Sequence, residues 1–230
     1  MIRLFTAHRL GRVSGVAALA ALALGLYLGL AWAPPDALMG DLQRIMYVHF
    51  PSWIATALGY GVGFACSALY LARRLATLDY WAHAAVEVGV VFNVTGLVTG
   101  SIWGRPTWGV WWTWDPRLTT TAIMLVTFAG YLIVRAFIED PDVRARVAAV
   151  VAVVGFLNVP LVYFSVRWWR TLHQPQSSPS TVDPRMVLAL RVMMIAFALL
   201  FGYLLSRRYL LARLEGEAER AALEPEMLGG

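Results

Sequence analysis

The sequence has no lysine, a single cysteine and few charged residues, and each shortage excludes a class of protein. Charged residues make up 14% of the 230 positions, whereas hydrophobic residues make up 59%. A soluble domain is nearer half apolar, so this composition does not fit one. Cys66 lies in an apolar run and is interpreted as a small packing residue. One thiol cannot supply an internal disulfide, a paired-cysteine metal site or a covalent haem attachment.

What the sequence has instead is a series of long apolar runs. Each is about 20 residues, the length that an α-helix needs to cross a hydrocarbon core of roughly 30 Å. The runs are continuous rather than alternating, which favours helices over a barrel. We therefore predict an all-α polytopic membrane protein with spans at about residues 13–33, 52–72, 84–103, 117–138, 147–166 and 186–205. The first run is too long for a signal peptide and is expected to be retained.

The arginines predict the orientation of these spans. All 19 basic residues are arginine, and the net charge is +5; in a membrane protein such charge reports topology rather than nucleic-acid binding. Twelve arginines fall on the side of the termini and seven on the other side. Because cytoplasmic loops are enriched in basic residues, both termini should be cytoplasmic. Residues 1–206 then form the membrane domain, residues 207–230 a polar helical tail, and about 34–51, 104–116 and 167–185 the outward loops.

The second outward loop is rich in tryptophan. Five of the chain's ten tryptophans fall within twelve positions, together with glycines that free the backbone to turn. An aromatic belt at the membrane surface is the simpler interpretation, but a belt spreads tryptophans over many helix ends. Clustered indoles are typical of a platform for a large, flat, apolar ligand. The five residues are Trp103, Trp108, Trp111, Trp112 and Trp114.

The two neighbouring outward loops each contain a histidine beside aromatic residues. These are His49 and His173, whereas His8 and His83 are expected on the inner side. A loop histidine is usually a solvated polar residue, but two of them bracketing a tryptophan platform could also ligate the iron of haem from opposite faces. Both interpretations stay open on the residues alone. Four arginines near the outer surface, Arg44, Arg105, Arg167 and Arg170, could bind carboxylates or simply contact headgroups.

Polar residues also occur at the start of the fourth span and inside others. Asp115, before Pro116, is expected to cap that helix. Glu87, Asn93 and Asn158 lie within spans and should be hydrogen-bonded to other helices. Pro160 predicts a kink in the fifth span.

At these residues the chain resembles a known family. Residues 103–115 look like the tryptophan-rich WWD motif of haem-handling proteins in cytochrome c biogenesis. The segments 47–51 and 168–174 resemble the corresponding motifs of the six-span CcmC family within that group. The length and span count agree, so the resemblance covers nearly the whole chain.

The resemblance implies a bacterial inner-membrane protein that binds non-covalent, b-type haem at its periplasmic face, through the tryptophan loop and two axial histidines, His49 and His173. Trp103, Trp108, Trp111, Trp112, Trp114, Asp115, Arg44 and Arg105 would line the site. Its implied partners are ABC transporter subunits, a small single-span subunit and a membrane-anchored periplasmic haem chaperone. It would be an assembly factor rather than an enzyme.

Three other functions fit the sequence less well. An electron-transfer subunit would place haem ligands deep in the bilayer, but no histidine falls in the middle of a predicted span. A secondary transporter could use Glu87 as its coupling site, yet the spans lack matching Gly/Pro breaks. An enzyme acting on glycans would need a pair of outward carboxylates, and the available aspartates form no such pair.

Overall fold

The computed structural model describes residues 2–173 and 181–228, with side chains for residues 11, 13–173 and 181–222. Most of the predicted Ser/Pro loop from Gln174 to Pro184 therefore lies outside the described residues, as does the side chain of His8.

All regular secondary structure within those two ranges is helical, which confirms the predicted fold class. Six helical segments are long and apolar enough to cross a membrane, with α5 and α6 together forming one of them. The α-helices are α1 (Ile2–Tyr27), α2 (Met46–Arg73), α3 (Ala76–Trp108), α4 (Pro116–Phe137), α5 (Pro141–Phe156), α6 (Asn158–Trp168) and α7 (Pro184–Leu228). A π-helical turn, Leu28–Trp32, continues α1, and a 3-10 turn, Asp41–Ile45, leads directly into α2.

Two helices reach further than the predicted spans. Because the 3-10 turn runs into α2, His49 lies near the start of that helix rather than in a loop. Helix α3 continues through Gly104 to Trp108 and ends where Gly109 adopts a φ of +80°, a left-handed conformation that favours glycine. Gly104 serves close packing instead of turning, since a Cβ there would lie 3.1 Å from the Trp108 ring. The predicted loop at 104–116 is therefore shorter, residues 109–115.

Helices α2 and α3 form the centre of the bundle and approach each other at glycines. A Cβ on Gly59 would lie 2.7 Å from the Cα of Gly89, and one on Gly63 would lie 2.7 Å from Val86. Small residues of this kind let spanning helices pack backbone to backbone. Helices α7 and α1 pack on one side of this pair, and α4, α5 and α6 pack on the other.

The polar residues inside the spans have partners, as predicted. The Asn93 amide donates to the Tyr60 hydroxyl at 3.0 Å, and the Asn158 amide donates to the Thr120 carbonyl at 2.6 Å. Glu87 forms an ion pair with Arg208 of α7. The predicted kink is also confirmed: the helix breaks at Leu157, because Pro160 has no N–H to bond the Phe156 carbonyl.

One end of the bundle is closed by ion pairs between helices, and we call it the ion-pair end. Asp79 of α3 and Arg135 of α4 form a bidentate pair with distances of 2.6 and 2.9 Å. Arg144 of α5 pairs with Glu219 of α7. Helix α7 runs without a break past residue 207, where the tail was predicted to begin, so the tail helix is packed against α3 and α5 through these contacts.

Candidate functional site

The three segments that carry the predicted site residues converge at the opposite end, which we call the histidine end. His49, in the first turns of α2, meets Trp103 of α3 edge to face, with ring centroids 5.7 Å apart. Five residues further along α3, Trp108 contacts His173, with ring centroids 5.1 Å apart. The two histidines are close enough that a charge on one acts on the other. Each predicted iron ligand thus touches a tryptophan of the same helix end.

His49 is held by hydrogen bonds to both of its ring nitrogens. Its Nδ1 lies 3.0 Å from the Thr99 hydroxyl oxygen, and its Nε2 accepts from the indole N–H of Trp53 at 3.0 Å. Glycines on α3 make room for both rings: a Cβ on Gly100 would lie 3.0 Å from His49, and a Cβ on Gly96 would lie 2.8 Å from Trp53. The imidazole is therefore fixed in place by α2 and α3 together.

Asp115 joins the tryptophan loop to the segment that carries His173. One of its carboxylate oxygens accepts from the backbone N–H of Arg117 at 2.9 Å, which is the predicted helix cap. The same oxygen accepts from the Thr171 hydroxyl at 2.8 Å, and the other accepts from the backbone N–H of Leu172 at 2.7 Å. Burial alone would raise the pKa of Asp115, but these hydrogen bonds and the nearby His173 outweigh it and lower the pKa. Asp115 is thus ionised and positions His173.

His173 is largely buried, with 19% of its side chain exposed. Its Nδ1 lies 3.7 Å from an Asp115 oxygen, beyond hydrogen-bond distance, and has no hydrogen-bond partner among the described residues. Burial first, and then the positive charge of Arg117, lower the pKa of His173 to about 4, although Asp115 opposes the shift. The imidazole is consequently neutral near pH 7, the form that can ligate a metal.

Two residues of the site, Arg117 and Trp53, were not predicted from the sequence. Arg117 entered the sequence reasoning only through the orientation of the spans, yet its charge acts on both histidines and its buried Nε has no hydrogen-bond partner among the described residues. Its position directly after Asp115 and Pro116, which begin helix α4, was the feature of the sequence that could have identified it. Trp53 lies four residues after His49, one helical turn away, and the missed signal was this spacing combined with a helix that begins before Pro51.

Two of the four predicted carboxylate-binding arginines bond the backbone, and a third, Arg167, lies over the rings of Tyr163 and Phe164. Arg44 donates to the carbonyls of Gly29 and Ala33 at 2.7 and 3.0 Å, and to Asp41. Arg105 donates to the carbonyl of Gly109 at 2.5 Å and so caps its own helix. Both side chains therefore stabilise the local fold at this end of the bundle.

The rest of the tryptophan loop forms an open aromatic surface. Trp111 is 59% exposed and Trp114 is 78% exposed, and Trp112 packs edge to face on Trp114. The Ser101 hydroxyl donates to the Trp111 carbonyl at 2.6 Å and ties the loop back to α3. Trp168 and Trp169, at the end of α6, are also about half exposed. Large indole faces are thus presented outward beside the two histidines.

These residues fit haem better than a bare metal ion. Across residues 2–173 and 181–228 no three His, Cys, Asp or Glu side chains cluster as a metal site needs. A porphyrin brings four nitrogens of its own and requires only axial ligands from the protein. Several buried polar atoms at this end lack partners among the described residues, and they include Trp103 Nε1, Arg117 Nε and His173 Nδ1. They suit a large ligand with an apolar face and polar edges.

Fold and site together define a class: a six-span α-helical membrane protein with a tryptophan-rich, two-histidine surface at one end. Comparison with known proteins is specific. A family model described as heme exporter protein C matches residues 3–223, and the chain therefore belongs to that family.

Individual relatives agree with this assignment. A protein named heme exporter protein C from Bradyrhizobium diazoefficiens is 41% identical over 184 residues, which cover 78% of this chain and 70% of the relative. The protein of the same name from Haemophilus influenzae is 34% identical over 86% of this chain and 82% of its own length. A putative cytochrome c biosynthesis ccmC-like mitochondrial protein from Marchantia polymorpha is 37% identical over 67% of this chain and 65% of its own length.

Proposed function

We propose that the protein binds haem at the histidine end, between His49 and His173, and delivers it for the maturation of c-type cytochromes. Membership of the heme exporter protein C family supports haem as the cargo. The observation that carries the site assignment is that Trp103 and Trp108, on one helix end, each contact one of the two histidines. Haem held by two axial imidazoles has no open iron position for oxygen chemistry, as suits a carrier.

The surrounding residues have separable roles in this proposal. The exposed indoles of Trp111, Trp112 and Trp114 support the apolar face of the porphyrin. Asp115 holds the segment that carries His173, and so fixes the distance between the ligands. Arg117, whose charge acts on both histidines, is the cation that we assign to the propionates, with Arg44 as a second, because guanidinium groups bind carboxylates well.

The histidine end faces the periplasm in this proposal, with both termini of the chain in the cytoplasm. The arginine distribution supports this orientation. It can be tested with a membrane-impermeant maleimide on whole cells, in a Cys66→Ser background. Leu38, 96% exposed beside the histidine end, is changed to cysteine in one variant, and Glu139 at the ion-pair end in the other. Labelling of Leu38→Cys in intact cells supports the proposal, and labelling of Glu139→Cys alone contradicts it.

Delivery requires partners. We propose that these are the ABC transporter subunits of the cytochrome c maturation system, a small single-span subunit and a membrane-anchored periplasmic haem chaperone. The open aromatic surface at the histidine end is where a chaperone would reach the cargo. Co-purification of the chaperone with the wild type, and its loss on replacing Trp111 and Trp114 together with alanine, is the expected result.

The ligand assignment is tested by absorption spectra of the purified protein. The wild type should show the Soret band of low-spin, bis-histidine haem, and His49→Ala and His173→Ala should each shift or abolish it. His83→Ala is the matched control, because that histidine lies at the ion-pair end beside Glu87 and should leave the spectrum unchanged. Wild-type spectra in both ligand variants would remove the assignment.

A further inference from the structure

The hydrogen bonds of His49 define which of its nitrogens carries the proton. An indole N–H can only donate, and that of Trp53 donates to the Nε2 of His49 at 3.0 Å, so Nε2 holds the lone pair. In the neutral imidazole the Nδ1 then carries the N–H, and it donates to the Thr99 hydroxyl oxygen 3.0 Å away. The Thr99 hydroxyl in turn donates to a carbonyl of its own helix, with that of Thr95 at 2.7 Å.

Trp53 is held in this place by its surroundings. Its ring stands nearly perpendicular to the imidazole, at 81° with centroids 5.9 Å apart. The indole lies against α3 where Gly96 has no side chain, and a Cβ there would lie 2.8 Å from the ring. The contact is therefore built by two helices, which distinguishes Trp53 from an indole that merely sits at the membrane surface.

Iron needs the same lone pair. The Nδ1 of His49 is protonated and cannot ligate, so Nε2 is the nitrogen available to a metal. One lone pair serves one partner, and the Trp53 N–H already occupies it. His173 differs, because its Nδ1 has no hydrogen-bond partner among the described residues. Within the described part of the chain the two histidines are thus unequal: the Nε2 of His49 accepts from a donor of the protein itself, and no such donor meets the Nδ1 of His173.

We propose that Trp53 is a positioning residue that competes with haem iron for the Nε2 of His49, which makes His49 the exchangeable ligand and eases the release of haem. The inference rests on the proposed function. On loading, the Trp53–His49 hydrogen bond breaks and an iron–nitrogen bond forms; on release the reverse occurs. Neither residue gains or loses a proton. Trp53 also keeps the empty imidazole oriented, with its lone pair unprotonated, between deliveries.

The test is Trp53→Phe in the full-length protein, which keeps an aromatic ring and removes the N–H donor. Transfer of haem to an excess of apomyoglobin gives the release rate. Release should slow by about two- to tenfold, the effect of one hydrogen bond lost from the haem-free state. The bis-histidine spectrum should persist. Trp81→Phe is the control, because that indole stacks on Tyr209 at the ion-pair end, and its release rate should equal the wild type.

Gly96→Ala is a second variant that leaves Trp53 itself intact. The added Cβ displaces the indole from His49, so release should slow in the same direction. Release from Trp53→Phe that is as fast as or faster than the wild type, with the bis-histidine spectrum retained, overturns the competition while leaving the proposed haem site in place. A wild-type spectrum in His49→Ala overturns both, because His49 would then not be a ligand.

Discussion

The two ends of this bundle are built by different interactions. At the ion-pair end, Asp79 and Arg135 are paired through two hydrogen bonds, and only 11% and 9% of their side chains is exposed. At the histidine end, aromatic rings meet edge to face, Asp115 joins the tryptophan loop to the segment of His173, and large indoles face outward. One end uses charge to fasten helices, whereas the other leaves polar and aromatic groups for a ligand.

This contrast separates the residues that stabilise the fold from the residues that bind a ligand. Removing one partner of a buried ion pair leaves an uncompensated charge, which destabilises the whole fold. Removing a group that orients a ligand-binding side chain weakens binding and leaves the fold nearly intact. Mutations at the two ends should therefore differ in kind as well as in size.

The largest effect is expected at the ion-pair end. Asp79→Ala leaves the Arg135 guanidinium buried without its carboxylate, and we expect a loss of about 3–5 kcal/mol in the free energy of unfolding. The loss of stability is measured by heating the protein in detergent and using size-exclusion chromatography to determine how much remains folded at each temperature. Protein that remains folded should bind haem with the wild-type spectrum.

A double variant separates charge burial from packing. In Asp79→Leu with Arg135→Met neither charge remains, so most of the stability should return. A double variant as unstable as Asp79→Ala would contradict the pairing and indicate that the side-chain shapes matter instead.

The next effect is expected at Asp115. Asp115→Asn keeps a capping oxygen for Arg117 but turns an N–H group toward the backbone N–H of Leu172, which detaches the His173 segment. Haem affinity should fall by about 10- to 100-fold, the usual effect of losing a group that orients a metal ligand. Titration of the apoprotein with haem measures it, and the melting temperature should change little.

The matched control is Asp183→Asn, since Asp183 also accepts a backbone N–H at the start of a helix but touches neither histidine. Its haem affinity should equal the wild type. Equal losses in the two variants would show that helix capping, and not the link to His173, explains the effect of Asp115.

The sequence predicted the fold better than the details of the site. The six spans followed from run length alone, because lipid requires apolar helices of a fixed length. The cap at Asp115 and the break before Pro160 followed from local rules. The bonds that Asp115 accepts from the Thr171 hydroxyl and the Leu172 backbone N–H did not, because they join positions more than fifty residues apart. Trp53 escaped notice because the helix start was placed too late.

A smaller effect is expected at Thr99, and it should oppose that of Trp53. Thr99→Val removes the acceptor that keeps the proton on Nδ1 of His49, so the imidazole can turn and change tautomer. Haem affinity should fall about tenfold. Thr95→Val is the control, because the Thr95 hydroxyl bonds only the Val91 carbonyl of its own helix. An unchanged affinity in Thr99→Val would mean that Trp53 alone orients the ring.

The smallest effects are expected at two residues with left-handed backbone conformations, one at each end of the bundle. Arg74 ends α2 at the ion-pair end with a φ of +56°, and Gly109 ends α3 at the histidine end with a φ of +80°. Gly109→Ala meets no atom within 4 Å, so its cost is backbone strain alone, about 1 kcal/mol, or about 2–4 °C in melting temperature. Arg74→Gly should relieve similar strain and raise the melting temperature slightly. Loss of the contact between the Arg74 guanidinium and the Tyr70 ring should offset part of this gain.

Titration of these two variants with haem then shows which end of the bundle contributes to haem binding. The left-handed backbone at Gly109 sets the direction of the loop that carries Trp111, Trp112 and Trp114, so Gly109→Ala should weaken haem binding a few-fold. Arg74→Gly should leave haem binding unchanged. If both variants altered melting temperature but neither altered haem binding, the loop after Gly109 would be a structural turn, and the aromatic surface would have to act on a partner protein instead of the porphyrin.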